Sequence, residues 1–424
     1  MQIIENPLPK DYSQILARPV FDQSEMFELI KPIFSRVKQQ GDKALRYYSE
    51  KFDGFSPSKF ELLKFELEQI AQNCPEKLKS AIDIATKNIR KFHEAQKQNS
   101  EKIETMEGIV CWQKTVPISK VGLYIPGGTA PLFSTVLMLA IPAKNAKCKE
   151  IVLCTPPSKT GLHPAIAYAA LTSGINNIYQ IGGAQAIAAM TFGTESITKV
   201  DKLFGPGNQY VTAAKQFATF EGLAIDMPAG PSELMIYADE TAVPAFVAAD
   251  LLSQAEHGTD SQVILLAKER KQVEKVLEEL KVQLDNLPRK DIAEKALENS
   301  KAIIVSSDIE AINLINEYAP EHLILSVKNY NEIEIEVLNA GSIFLGNFTP
   351  ESAGDYASGT NHTLPTNGFA KMYSGVSLES FQKKITVQEI SEQGLQNLGN
   401  VIETMAEAED LIAHKNAVSI RLKK

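Results

Sequence analysis

The pattern of apolar and polar positions changes character along the chain. From Ser24 to about Gln98 it is helical and heavily charged, with Phe27-Glu-Leu-Ile-Lys-Pro-Ile-Phe and Val37, then Leu78 to Phe92, recurring three and four apart. From Lys120 onward short apolar runs alternate with helical stretches. Strands are predicted at 121–125, 151–154, 178–181, 202–204 and 234–237, with helices at 132–145, 164–173, 184–192 and 209–220. Strands separated by helices of this length predict right-handed βαβ units and a parallel sheet. A further helix ends near Gly258, and the alternation then resumes. Strands are predicted at 263–267, 302–305, 323–327 and 343–345, and helices at 268–284, 308–317 and 331–338. The chain therefore reads as α/β, with two units of similar style and no defensible repeat between them. Residues 1–20, with Pro7, Pro9 and Pro19, read as a loose arm. A glycine-, serine- and threonine-rich loop runs from Phe348 to about Tyr373, and the last 40 or so residues read as a polar helical appendage.

Composition narrows the class. With 424 residues the chain is long enough for two cores, and 44% hydrophobic with 22% charged residues is globular. A net charge of -9 and only two short basic clusters, Lys383-Lys384 and Arg421-Leu-Lys-Lys, argue against nucleic acid as a partner. Residues 121–143 and 160–194 lack Asp, Glu, Lys and Arg, but Pro126, Pro131, Pro142, Gly174, Gly182 and Gly183 interrupt them. Buried α/β core, not a membrane span, is expected there. Met1 to Val20 has no basic start followed by an apolar run, so no secretory signal is expected. The four cysteines show no C-x-x-C spacing, and a reducing cytoplasm is the expected location.

Candidate chemistry gathers at five places. Asp250-Leu-Leu-Ser-Gln-Ala-Glu-His-Gly258 reads as the end of a helix, where Gln254 and His257 are neighbours on one face. Both side chains can bind a cation, and a helix C-terminus favours one; a buried polar pair satisfied by backbone is the alternative. Three glycine turns follow strands: Tyr124-Ile-Pro-Gly-Gly128, Ile181-Gly-Gly-Ala-Gln185 and Phe204-Gly-Pro-Gly-Asn208. They suit a nucleotide or similar ligand approached by backbone N–H groups, with ordinary tight turns as the alternative. None fits G-x-G-x-x-G or a P-loop. Glu321-His322 places an acid beside an imidazole after Pro320, and neighbouring side chains diverge, so two separate bases are available. Asp355 and His362 sit in the polar loop. His414 shares a stripe with Leu411 and Val418 in the last helix, so it is expected to point at something packed. His93, between Lys91 and Lys97, reads as a surface histidine. Gln254, His257, Asp355 and His414 make an N/O ligand set without thiolate, which suits catalytic zinc.

Six segments in order carry a resemblance: Val121-Gly-Leu-Tyr-Ile-Pro-Gly-Gly-Thr-Ala-Pro-Leu-Phe-Ser134, Phe204-Gly-Pro-Gly-Asn208, Ala229-Gly-Pro-Ser-Glu233, Asp250-Leu-Leu-Ser-Gln-Ala-Glu-His257, Ala319-Pro-Glu-His-Leu323 and Ala413-His-Lys-Asn-Ala-Val418. The chain closely resembles the histidinol dehydrogenases along essentially its whole length. The resemblance implies two incomplete Rossmann-like parallel-sheet domains with short helical N- and C-terminal appendages. The expected division is an arm at 1–20, a discontinuous domain of 21–123 plus 234–377, a second domain at 124–233, and a tail at 378–424 reaching into a partner's site. It also implies oxidation of L-histidinol through L-histidinal to L-histidine with two NAD, in a homodimer. By motif, Gln254, His257, Asp355 and His414 resemble the zinc ligands, and Glu321 and His322 the catalytic acid/base residues. Ser232, His362 and Glu409 resemble substrate contacts, while Tyr124, Gln185 and Asn208 resemble NAD contacts.

The resemblance meets some resistance from below. Glu409 and His414 are five apart, so they share a site only if the helix breaks near 410–413. Residue chemistry alone leaves three rivals: a zinc hydrolase with Glu321 or Glu256 as base, a thiol-dependent aldehyde dehydrogenase using Cys148 or Cys154, and a non-catalytic ligand-binding protein.

Overall fold

The computed structural model describes residues 1–19, 23–98, 101–127, 131–228 and 230–423. Gly128, which falls in the first glycine turn, and Ala229 of the Ala-Gly-Pro-Ser-Glu segment lie outside the described residues. The two runs of alternating strands and helices build two separate six-stranded sheets.

The first sheet runs Glu61–Leu63, Asn177–Gln180, Glu150–Thr155, Lys120–Tyr124, Lys202–Phe204, Ala224–Ile225, and all but the first strand are parallel. The second runs Gln2–Glu5, Lys301–Ile304, Gln262–Ala267, Glu233–Ala238, His322–Ser326, Ser342–Leu345, parallel throughout. Strands Glu233–Ala238 and Gln262–Ala267 are buried at every position. That is the continuous apolar run expected where helices cover both faces of a parallel sheet. In each sheet the first βαβ strand stands in the middle, and the winding reverses beside it: between Lys120–Tyr124 and Lys202–Phe204, and between Glu233–Ala238 and His322–Ser326. Each is the strand order of a doubly wound nucleotide-binding sheet, as the resemblance implies. Among the described residues no helix is long and apolar enough to cross a membrane.

Strand pairing differs from the expected division in three ways. The arm is not loose: Gln2–Glu5 is an edge strand, Tyr12 and Leu16 are buried, and Arg18 reaches the centre of the second sheet. Four residues of edge strand carry too little apolar pattern to announce themselves. Residues 23–98 and 120–124 belong with the middle unit rather than with 234–377. Glu61–Leu63 pairs with Asn177–Gln180, and Ile30, Phe34, Val37 and Leu45 share a core with Tyr124, Val152 and Ile187. Their helices are charged only on the outer face, which masked what the inner face covers. A third, antiparallel sheet was not predicted. It orders Gln382–Ile390, Ile109–Pro117 and Ile103–Met106; the two outer strands are largely exposed and the middle one is mostly half-buried.

The C-terminus is a hairpin of helices Glu392–Ala408 and Ile412–Leu422, hung on the strand Gln382–Ile390. The two pack closely at Gly399, where any Cβ would strike Leu422. Asp410, at φ 59°, turns the chain between them.

Candidate active site between two sheets

The carboxyl ends of the first sheet face the amino ends of the second across a cavity of about 930 Å3. One wall carries Pro126, Pro206, Gly207 and Asn208, from turns that follow strands. The other carries Ser232, Gln254, His257, Glu321 and His322, which precede or begin strands; Asp355 and His362 complete it.

Glu233–Ala238 and His322–Ser326 are neighbours in register. That pairing fixes the Glu321-His322 couple. The Glu321 carboxylate accepts the Glu233 backbone N–H at 2.9 Å. The His322 ring is buried, with Nδ1 3.3 Å from the Glu233 carbonyl and 3.6 Å from Glu321 Oε2. Donation from Nδ1–H to that carbonyl leaves Nε2 free as an acceptor, and Nε2 has no hydrogen-bond partner. It stands 3.5 Å from Asp355 Oδ1. Burial raises the Glu321 carboxyl to about 8. Burial alone would lower His322, but the surrounding carboxylates Glu321, Glu351 and Asp355 outweigh it and lift the imidazole to about 10. The two bases with perturbed proton affinity touch at Glu321 Oε2 and His322 Nδ1, 3.6 Å apart, while His322 Nε2 lies on the far side of the ring, which equips them to act in separate steps.

The helix Pro244–Ala255 brings Gln254, fully buried, to the same spot in its last turn, and His257 follows just beyond its end. His257 opens onto the cavity, yet enough protein surrounds the ring that burial lowers its pKa. The polar loop is not all loop: Glu351–Tyr356 is a short helix that carries Asp355. Asp355 stays below the usual carboxylate range although burial opposes it, because His322 is beside it. One ligand atom each from His257, Glu351 and Asp355 fall within 4.8 Å of one another. Sequence reasoning missed Glu351. Its signal was the four-residue step to Asp355 inside a helix turn. His362 is held by both ring nitrogens, Nδ1 on the Asp355 carbonyl at 3.0 Å and Nε2 against Thr135 Oγ1 at 3.2 Å.

On the opposite wall, Asn208 caps helix Gln209–Phe220 by accepting the N–H groups of Tyr210 and Val211, each at 3.1 Å, which leaves its amide nitrogen free. Gly205 has to be glycine: at φ 129° any Cβ would strike the Tyr124 carbonyl. Tyr124 and Gln185 lie behind this turn, both buried; the Tyr124 hydroxyl accepts the Gly183 N–H at 3.0 Å, and the Gln185 amide is unpartnered.

Four candidates do not line this cavity: Tyr124 and Gln185, buried behind its wall, and Glu409 and His414. Glu409 and His414 are exposed in the C-terminal hairpin, so His414 packs on nothing within its own chain, contrary to the expectation from its stripe. The break at 409–411 does remove the spacing conflict between them. His93 is a correction: it is fully buried, with Nδ1 on the Ile89 carbonyl at 2.8 Å and Nε2 near Asn361. The rival cysteines are buried away from the cavity, and burial pushes the Cys148 thiol up to about 11 and Cys154 higher still. Neither is a ready thiolate.

The histidinol dehydrogenase family model matches residues 16–422. The chain belongs to the histidinol dehydrogenase family. It is an oxidoreductase enzyme of that family and of histidine biosynthesis. A histidinol dehydrogenase of Bacteroides thetaiotaomicron is 56% identical over 423 residues, 100% of this chain and 99% of that one. One of Escherichia coli is 49% identical over 412 residues, covering 96% and 94%. The crystal structure of histidinol dehydrogenase from Elizabethkingia anophelis is 54% identical and superposes with a TM-score of 0.98, covering 100% of this chain and 98% of that one.

Proposed function

We propose that this histidinol dehydrogenase family member oxidises L-histidinol to L-histidine through L-histidinal, in the cytoplasm, with zinc and two NAD. The observation that carries the mechanism is the His322 ring, whose Nδ1 is anchored on the Glu233 carbonyl while its Nε2, without a hydrogen-bond partner, lies against Asp355 at the cavity wall.

Gln254, His257 and Asp355 would hold zinc, with His414 of the partner subunit, and the donor set of oxygens and imidazoles fits it. When bound, the ion would grip and orient the substrate's imidazole and amino nitrogens. NAD supplies the hydride acceptor, with Asn208, Tyr124 and Gln185 as its contacts at the carboxyl ends of the first sheet. Ser232, His362 and Glu409, the last from the partner, are proposed to contact substrate.

With the surrounding carboxylate charge offset by a bound cation, His322 would be neutral, and its Nε2 would take the hydroxyl proton as the first hydride leaves. Glu321 then takes a proton from the water that attacks the aldehyde, and the second hydride leaves the hydrated carbon. A carboxyl raised to about 8 by burial is a stronger base than an ordinary carboxylate, as that step requires. Holding the aldehyde within the cavity protects it between the two steps.

The test is an NADH count with limiting L-histidinol, excess NAD and zinc, repeated with a chelator. Two NADH per histidinol, lost with chelator and restored by zinc, is the expected result. One NADH would reduce the reaction to a simple alcohol oxidation, and none would remove the proposal.

A further inference from the structure

Lys215 is buried in the middle of helix Gln209–Phe220, and Asp226 follows the edge strand Ala224–Ile225 with its carboxylate equally hidden. Nζ and Oδ1 are 2.5 Å apart, with the two side chains 4% and 1% exposed. A buried ion pair is weak evidence for stability. Desolvation of both charges offsets their attraction, and apolar residues of similar volume often serve as well. What this pair grips points to a different use.

It holds the backbone of Gly205 from both sides. The Gly205 N–H donates to Asp226 Oδ2 at 2.9 Å, and the Gly205 carbonyl accepts from Lys215 Nζ at 2.8 Å. Asp226 is itself fixed: its N–H donates to the Leu203 carbonyl at 2.9 Å, and its Oδ1 accepts the Met227 N–H at 2.8 Å. Gly205 lies one residue past the end of strand Lys202–Phe204, at φ 129°, a conformation the sheet does not impose. Its neighbours Pro206 and Gly207 have no polar side chain with which to brace the turn. Pro206, Gly207 and Asn208 line the cavity; Lys215 and Asp226 are not among the described residues that do. The pair therefore stands behind the wall and meets the cavity only through Gly205.

We propose that Lys215 and Asp226 are positioning residues for the cofactor. By clamping Gly205 they hold the Pro206-Gly207-Asn208 turn in the shape that receives NAD, and neither touches the cofactor. This rests on the reading that Asn208 contacts NAD.

The experiment uses the full-length, zinc-loaded enzyme, with steady-state kinetics in NAD and L-histidinol and direct titration of NADH by its fluorescence. In Lys215→Met, kcat/KM for NAD should fall on the order of 100-fold, the penalty a misplacement of about 1 Å can carry. The fall should sit in KM for NAD and be matched by weaker NADH binding, with kcat at saturating NAD and KM for L-histidinol changed less than about threefold. Lys215→Met leaves Asp226 buried without its cation, so urea denaturation should show it less stable. The double variant Lys215→Met with Asp226→Leu removes both charges and should recover much of that stability, yet keep the high KM for NAD. Recovery of NAD affinity together with stability would make the pair structural only and overturn the proposal. An unchanged KM for NAD in Lys215→Met would overturn it as well. Asn208→Ser keeps the helix cap but removes the free amide nitrogen. Unaltered NADH binding in that variant would instead remove the cofactor reading of the turn.

Discussion

Nε2 of His322 and Oδ1 of Asp355 lie 3.5 Å apart, so the candidate base and a candidate metal ligand act on each other directly. The carboxylates around the imidazole hold its proton to about pH 10 in the metal-free protein. Asp355→Asn removes one of them, so the His322 pKa should fall. Nitrogen-15 NMR of metal-free protein should show His322 protonated at pH 7 in the wild type and titrating lower in the variant. An unchanged titration would mean that Asp355 does not act on this base.

Glu321→Gln keeps the shape and removes the base. Oxidation of L-histidinal should fall by roughly 10²–10⁴-fold, the usual worth of a positioned general base. Oxidation of L-histidinol to the aldehyde should fall much less. Single-turnover NADH traces separate the two hydride transfers, and equal losses in both would take away the separate role of Glu321.

The exposed tail makes a further prediction. A His414→Ala subunit mixed with a His322→Ala subunit should recover part of the activity, because a heterodimer would contain one site with neither change. No recovery, with heterodimers demonstrated by mass, would mean that the tail serves its own chain.

Arg18 ties the N-terminal arm to the site. Its Nε and Nη2 bind the Glu233 carboxylate at 2.5 and 2.9 Å, Nη2 also donates to the Tyr318 carbonyl, and the guanidinium lies 3.9 Å from the Tyr318 ring centroid. Arg18→Met leaves Glu233 buried and unpaired, which should cost about 3–5 kcal/mol. Urea denaturation measures it; a loss under about 1 kcal/mol would put the pair among weak surface bridges.

Asp53 gives a pH signature of stability. Burial raises its carboxyl to about 6, and its Oδ2 has no hydrogen-bond partner. A folded-state pKa above the unfolded value means its contribution is fully present below the unfolded pKa. It is lost as pH rises through about 6. Asp53→Asn should therefore raise the melting temperature at pH 8 and leave it nearly unchanged at pH 4. The same shift at both pH values would refute the burial argument.

Much of this was legible in the sequence, for a physical reason. Parallel strands covered on both faces are unbroken apolar runs, so Leu234–Tyr237 and Val263–Ala267 stood out and needed extension by only a residue or two. The same logic placed Gln254 and His257 at a helix end. What escaped lacks that signature. Gln382–Ile390 is exposed and polar, Ile109–Pro117 is mostly half-buried with its apolar run cut short by Gln113-Lys114-Thr115, and only their pairing across the chain makes them strands. His93 was misread from its lysine neighbours, although the step from Ile82, Ala85 and Ile89 already put it on the buried face. Glu351 looked like one more polar residue in a loop, because nothing local reveals what a short helix aims at.

The pairing of Ile109–Pro117 with Gln382–Ile390 spans about 270 residues of sequence. On the ribosome the earlier strand is made long before its partner. At ~5–20 residues per second it waits roughly 15–55 seconds with one edge open. An open edge is a template for any other strand, including the same strand of a neighbouring nascent chain. Only Gln113, Lys114 and Thr115 interrupt its otherwise apolar Ile109, Val110, Cys111, Trp112 and Val116, and that polar break is then the safeguard that makes the strand a poorer seed for aggregation while the chain awaits its own end.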